Sequence, residues 1–262
     1  MEQLYLNSTL ENLKEFLDEK AAFYENSAFI ETDPIQVPHR FSRKQDIEIA
    51  GYLTATIAWG NRLSILKSAQ KIMQLMDEDP YNFVLHHSPK DLKSFKTFVH
   101  QTFQAQDLQF LIQGLKKAYQ EVDSLESFFH PSDSSSASLA ENIHNFRRYI
   151  LEVPHEKRSE KHIADPLKGS AAKRIFMYLR WMVRPNTQGV DFGIWNRITP
   201  AQLSCPLDIH SGNVARKLGL LNRNQNDAKA VQELDAQLRQ LDPNDPVKYD
   251  FALFGLGVFE KF

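Results

Sequence analysis

Apolar residues recur at helical spacing along nearly the whole chain, and no stretch alternates apolar with polar as a half-buried strand does. Leu10, Leu13, Leu17 and Ala21 form one stripe, with Thr9 as a candidate cap. The two prolines and three basic residues of 31–44 read as a loop. A second helix is predicted over Asp46–Trp59, with Ile49, Tyr52, Leu53, Thr56 and Ile57 on one face. Gly60-Asn61 breaks it, and Leu63–Met76 forms a third. The phenylalanine-rich stretch 81–130 has room for two or three more. Ser132–Ser138 reads as a surface loop, Leu139–Leu151 as a helix and 153–166 as irregular. Further helices are expected over Ala171–Arg184, Ile209–Leu218, Asp227–Leu241 and Val247–Phe259. The expected fold is all-α, about a dozen short helices in one two-lobed domain over 1–262, with no internal repeat.

Composition narrows the class. A chain of 262 residues with 42% hydrophobic and 24% charged positions is an ordinary globular protein, large enough to bury roughly 70–75% of its unfolded surface. One cysteine, Cys205, excludes a disulfide framework and any multi-thiolate cluster. The N-terminal residues lack a basic start followed by an apolar run, and no apolar run reaches membrane-spanning length, so the expectation is a cytoplasmic protein with no membrane partner. A net charge of −2 does not advertise nucleic-acid binding, but local charge departs from it.

That departure lies at Lys168–Arg184, which holds Lys168, Lys173, Arg174, Arg180 and Arg184 and no acidic residue. On a helix, Lys173, Met177, Arg180 and Arg184 share a face, predicting a basic outer stripe opposite an apolar one formed by Ile175, Leu179 and Met182. Most such runs are solvated surface. Here no acid stands at i±4 to compensate, and the run follows a glycine turn, where backbone N–H groups at a helix start can hold a phosphate. Some thirty-five residues on, Pro206-Leu207-Asp208-Ile209-His210 opens a helix that Gly219 stops. Asp208 is a natural N-cap, and capping alone would account for it. No His, Asp or Glu grouping has metal-ligand spacing, and the nucleotide-binding glycine loop and the G-x-S-x-G elbow are missing.

Leu167-x-Gly169-x-x-x-Lys173 ahead of a helix, then Pro206-x-Asp208-x-His210, resembles the helix-hairpin-helix DNA glycosylases, whose hairpin reads L-P-G-x-G-x-K and whose later P-V-D-x-H carries the catalytic aspartate. Lys168 stands in place of the hairpin proline and Ala171 in place of the second glycine, a degenerate hairpin within 165–220. The long Lys173–Asp208 separation and the segment Lys248-Tyr249-Asp250-Phe251-Ala252-Leu253-Phe254-Gly255 are most similar to the archaeal 8-oxoguanine glycosylase branch. Over most of its length the chain also resembles a bacterial family with no assigned function. This is carried by Asp46-Ile47-Glu48-Ile49-Ala50-Gly51, by Leu179-Arg180-Trp181-Met182-Val183-Arg184 and by Asp245-Pro246-Val247-Lys248-Tyr249-Asp250.

The glycosylase resemblance implies a monomeric enzyme that acts on double-stranded DNA without a cofactor or metal. It would excise an oxidised purine such as 8-oxoguanine, with or without lyase cleavage at the abasic site. Lys173 would attack the sugar C1′ and Asp208 would stabilise charge developing on the sugar. Asp250, Phe254, Met177 and Trp59 would line the base pocket. Lys168, Gly169, Ser170, Arg174, Arg180 and Arg184 would meet the phosphate backbone. The alternatives are a helical protein that binds nucleic acid without catalysis and one that acts on something else.

Overall fold

The computed structural model describes residues 2–130 and 138–262, with side chains from residue 10 onward. The described chain is all-α, twelve α-helices with short 3-10 turns between them. Its one sheet is a two-stranded antiparallel hairpin, β1 (Val99–His100) and β2 (Phe103–Gln104), which pairs His100 with Phe103. Strands of two residues are too short to leave an alternation in the sequence. No helix among the described residues is long and apolar enough to cross a membrane.

The chain divides into two compact units, one of residues 1–29 with 168–262, the other of residues 30–167. The second unit holds α3 (Lys44–Thr56), α4 (Arg62–Leu75), α5 (Pro80–His86), the hairpin, α6 (Ala105–Tyr119), α7 (Glu126–Phe129) and α8 (Leu139–Ile150). It is organised around α3, buried on every side from Asp46 to Thr56. The Glu48 carboxylate there accepts from Tyr119 Oη at 2.7 Å and from the Leu125 amide at 3.2 Å, so the buried charge is satisfied by hydrogen bonds. The predicted loop 132–138 lies, apart from Ser138, outside the described residues; Ser138 caps α8 through a capping box with Glu141.

The first unit holds α1 (Glu2–Tyr24), the start of α2 (Ser27–Thr32), α9 (Lys173–Val183), α10 (Ile209–Lys217), α11 (Ala228–Leu241) and α12 (Tyr249–Val258). Helix α1 begins at Glu2, so Thr9 falls inside it rather than at its start. The apolar α12 is packed closely on two sides. A Cβ on Gly255 would sit 2.1 Å from the Tyr24 ring on α1, and one on Gly257 would sit 3.1 Å from His210 on α10. Both glycines are there because a neighbouring helix comes too close for a side chain.

Helix starts and stops follow local chemistry. Asp208 caps α10 and Asp227 caps α11 with side-chain oxygens, and Gly219 ends α10 at φ +74°. The one displaced boundary that matters is α9, which starts at Lys173 rather than Ala171. Its N-cap, Ala172, is left-handed at φ +49°, and Gly169 three residues earlier is at φ +89°. The chain thus makes a tight reversal and delivers Lys173 as the first helical residue.

Candidate active site

The reversal ahead of α9 is held by backbone pairing and one hydroxyl. Ser170 forms an isolated antiparallel bridge with Asp227, the Ala228 amide donates to Gly169 O at 3.1 Å, and the Ala172 amide donates to Ser170 Oγ at 3.1 Å. Gly169 is exposed and no neighbour lies within 4 Å of where its Cβ would be. The start of α11 therefore fixes where α9 begins.

The start of α10 is fixed just as firmly. Asp208 Oδ1 accepts from the Ser211 amide at 2.9 Å and from Ser211 Oγ at 3.2 Å, while the Asp208 amide donates to Ser211 Oγ at 2.9 Å. Asn226 Nδ2 donates to Asp208 O at 2.8 Å, and Asn226 Oδ1 accepts from Arg216 at 2.6 Å. With Oδ1 engaged in the cap, Oδ2 is directed at Lys173, whose Nζ lies 3.5 Å away. The two side chains are 29% and 20% exposed, enough to meet an incoming molecule and enough covered to be held in place. The lysine and the aspartate, thirty-five residues apart, are brought together.

Below this pair lies a buried charge network. Arg180, two turns along α9 from Lys173, donates from Nη1 to Asp250 Oδ2 at 2.5 Å and from Nε to Asp191 Oδ1 at 3.3 Å, and its guanidinium lies 4.2 Å above the Phe251 ring. Arg184 makes a two-toothed contact with Glu25 at 2.7 and 3.0 Å, reaches Asp191 Oδ2 at 2.7 Å, and donates from Nε to Asp245 at 3.0 Å. Both arginines are under 5% exposed. The expected basic outer stripe is therefore corrected. Past Lys173 that face points inward, and none of its compensating acids stands at i±4: Asp191 lies seven residues beyond Arg184, and Glu25, Asp245 and Asp250 are sixty or more residues away in sequence. Arg180 and Arg184 are not placed to meet a phosphate backbone.

Two guanidiniums among four carboxyls leave negative charge in excess. Burial raises the Asp250 carboxyl to about 6, Asp208 adds to the rise, and Arg180 and Lys173 pull it back. Cys205, fully buried, has its thiol pushed up by burial and then by the charges of Asp250 and Asp235, which keeps it an unreactive core residue.

The remaining candidates scatter. Met177 is buried one turn after Lys173, and Phe254 is half-buried against Phe29 and Phe259. Trp59 belongs to the other unit, where it stacks on His162 at 5.7 Å and meets His100 edge-on at 5.1 Å. Lys168 is exposed and Arg174 half-buried. Sequence reasoning overlooked Asn226 and three of the acids that bind the arginines, Glu25, Asp191 and Asp245, while Asp250, expected in a base pocket, is engaged by Arg180. The acids carry no local signal, but the run Asn222-Arg223-Asn224-Gln225-Asn226 stands out in the sequence for its side-chain amides.

The model of a family described as "Protein of unknown function (DUF2400)" matches residues 33–259. No curated protein and no solved structure matches the chain.

Proposed function

The chain belongs to the DUF2400 family, and from that footing we propose that it is a DNA glycosylase that uses Lys173 as nucleophile and Asp208 as its charged partner. The observation that carries the reading is the 3.5 Å approach of Lys173 Nζ to Asp208 Oδ2, with each residue fixed at the first turn of its own helix. A carboxylate already committed to a cap stays in place and orients the amine beside it, and that positioning is what a covalent attack requires.

In this reading a nucleotide turned out of the duplex places its C1′ at Nζ. The lysine, once it has given up a proton, forms a bond to C1′ as the glycosidic bond breaks. The departing base takes the electron pair and then a proton. Asp208 Oδ2 faces the positive charge that grows on the sugar. The nitrogen lone pair then forms a C=N bond as the C1′–O4′ bond breaks and O4′ takes that electron pair and a proton, which opens the sugar ring and leaves a Schiff base on Lys173. Asp250, buried beside the pair and with its carboxyl near 6, is the group able to exchange a proton close to neutral pH. An oxidised purine is the substrate class that the resemblance of residues 248–255 favours.

A borohydride-trapping assay over duplexes carrying a panel of damaged bases tests the reading, because reduction of the Schiff base makes a permanent cross-link. Wild type is expected to trap on at least one lesion. Lys173→Gln is expected to abolish trapping while leaving DNA affinity within about threefold, since one lysine contributes little of a polyvalent phosphate contact. Trapping by Lys173→Gln, or none by wild type on any lesion, defeats the proposal. Binding without trapping would favour a non-catalytic DNA-binding protein, in which the 3.5 Å pair is only an ion pair joining two helix starts.

A further inference from the structure

The loop between α10 and α11 and the first turns of α11 line an open cavity of about 670 Å³, formed by Asn222, Arg223, Asn224, Gln225, Lys229 and Glu233. That size falls within the roughly 300–1,000 Å³ of ordinary ligand clefts. The loop is bonded to both halves of the candidate pair. Asn226 holds the Asp208 carbonyl, and the Asp227–Ala228 step holds Ser170 and Gly169 ahead of Lys173.

Several of its polar groups have structural work. Asp227 caps α11 and binds Arg223 at 2.7 Å. Asn226 braces Asp208 and Arg216, the Asn222 amide donates to Glu233 at 2.6 Å, and Gln225 Oε1 accepts from Arg223 at 3.0 Å. Capping and bracing do not call for the Asn224 and Gln225 side-chain NH2 groups or the Lys229 ammonium, all on exposed residues that line the cavity. The Asn224 side chain offers both members of the donor and acceptor pair that matches a base edge, adenine N6 and N7 best of all; Gln225 adds an NH2 donor, and an ammonium offers a phosphate partner.

We propose that this cavity is a second DNA contact, which receives a nucleotide neighbouring the reacting one. Asn224 and Gln225 face its base edge and Lys229 faces its phosphate. The inference rests on the reading of Lys173 and Asp208 as a DNA-engaging pair, and it names how the flanking sequence is recognised there.

Fluorescence anisotropy tests it with wild type, Asn224→Ala/Gln225→Ala and Lys229→Gln, on lesion duplexes that differ only in the bases flanking the lesion, over a series of salt concentrations. Circular dichroism melts identify any variant that has lost its fold. The double variant is expected to bind about ten-fold more weakly and to lose wild type's preference for a flanking adenine, in line with the value of one bidentate base contact. Lys229→Gln is expected to weaken binding evenly across sequences and to lower the salt slope by about 1. A folded double variant that binds every duplex as wild type does overturns the inference, as does a wild type indifferent to the flanking base. Either result leaves the trapping experiment untouched. Conversely, wild type that binds with these preferences but never traps would sink the catalytic reading and keep the cavity.

Discussion

Asp208 divides its two oxygens between two tasks. Oδ1 closes the capping box with Ser211 and Oδ2 faces Lys173. Asp208→Asn keeps a capping oxygen, so the fold should survive with a loss under about 1 kcal/mol. Base release by the same protein, followed in single-turnover assays, should slow by at least about a hundredfold, as removing one preorganised electrostatic partner does. Unchanged base release would reduce Asp208 to a cap. Asp250 carries a pH signature of its own. Its carboxyl is raised to about 6 in the fold against an ordinary 3.8, so the folded protein holds that proton more tightly than the unfolded chain. The associated stability is complete below pH 4 and is lost as pH rises through 6, about 3 kcal/mol in all. Denaturant unfolding of wild type and Asp250→Asn across pH 4–7 checks it. Wild type should lose stability relative to the variant as pH rises over that range, and parallel profiles would show that Asp250 does not titrate there.

At the scale of the element, α9 shows where pattern reading succeeds and where it stops. Its apolar period was legible, and so was the glycine turn before it, because both are local. The side on which Arg180 and Arg184 lie was not, because their carboxylate partners arrive from the residue just after α1, from the 184–191 turn, from the approach to α12 and from α12 itself. A buried arginine and an exposed one look alike in a sequence. The same holds for Gly255, whose purpose is visible only once Tyr24 stands against it. Two outcomes follow from the packing. Arg184→Met should cost about 3–5 kcal/mol in denaturant unfolding, since Glu25, Asp191 and Asp245 would be left without their shared cation. Arg184→Met, where it still folds, should leave the salt slope of DNA binding unchanged, the reverse of what an outward basic stripe would give. A loss below about 1 kcal/mol, or a flatter slope, would put the guanidinium back at the surface.

Over the whole molecule, the all-α class, Asp208 as a cap and the meeting of lysine with aspartate were open to sequence reading, since helical period, capping chemistry and a motif-level resemblance all act over short spans. The division into 1–29 with 168–262 and 30–167 was not, because the N-terminal helix joins the C-terminal half through contacts more than two hundred residues apart, such as Tyr24 with Phe259 and Glu260. With Arg180 and Arg184 withdrawn into the core and Lys173 assigned to the sugar, the cations proposed for the DNA backbone in the first unit are Lys168, Arg174 and Lys229. That is a modest set for a chain whose net charge is −2, so duplex affinity should fall with salt by a slope of only about 3. The central claim is that Lys173 forms a covalent bond to the sugar, and mass spectrometry of the borohydride-trapped complex reads it directly. After proteolysis the reduced adduct should lie on the peptide containing Lys173; an adduct on another amine, or no adduct with any lesion, would contradict the account.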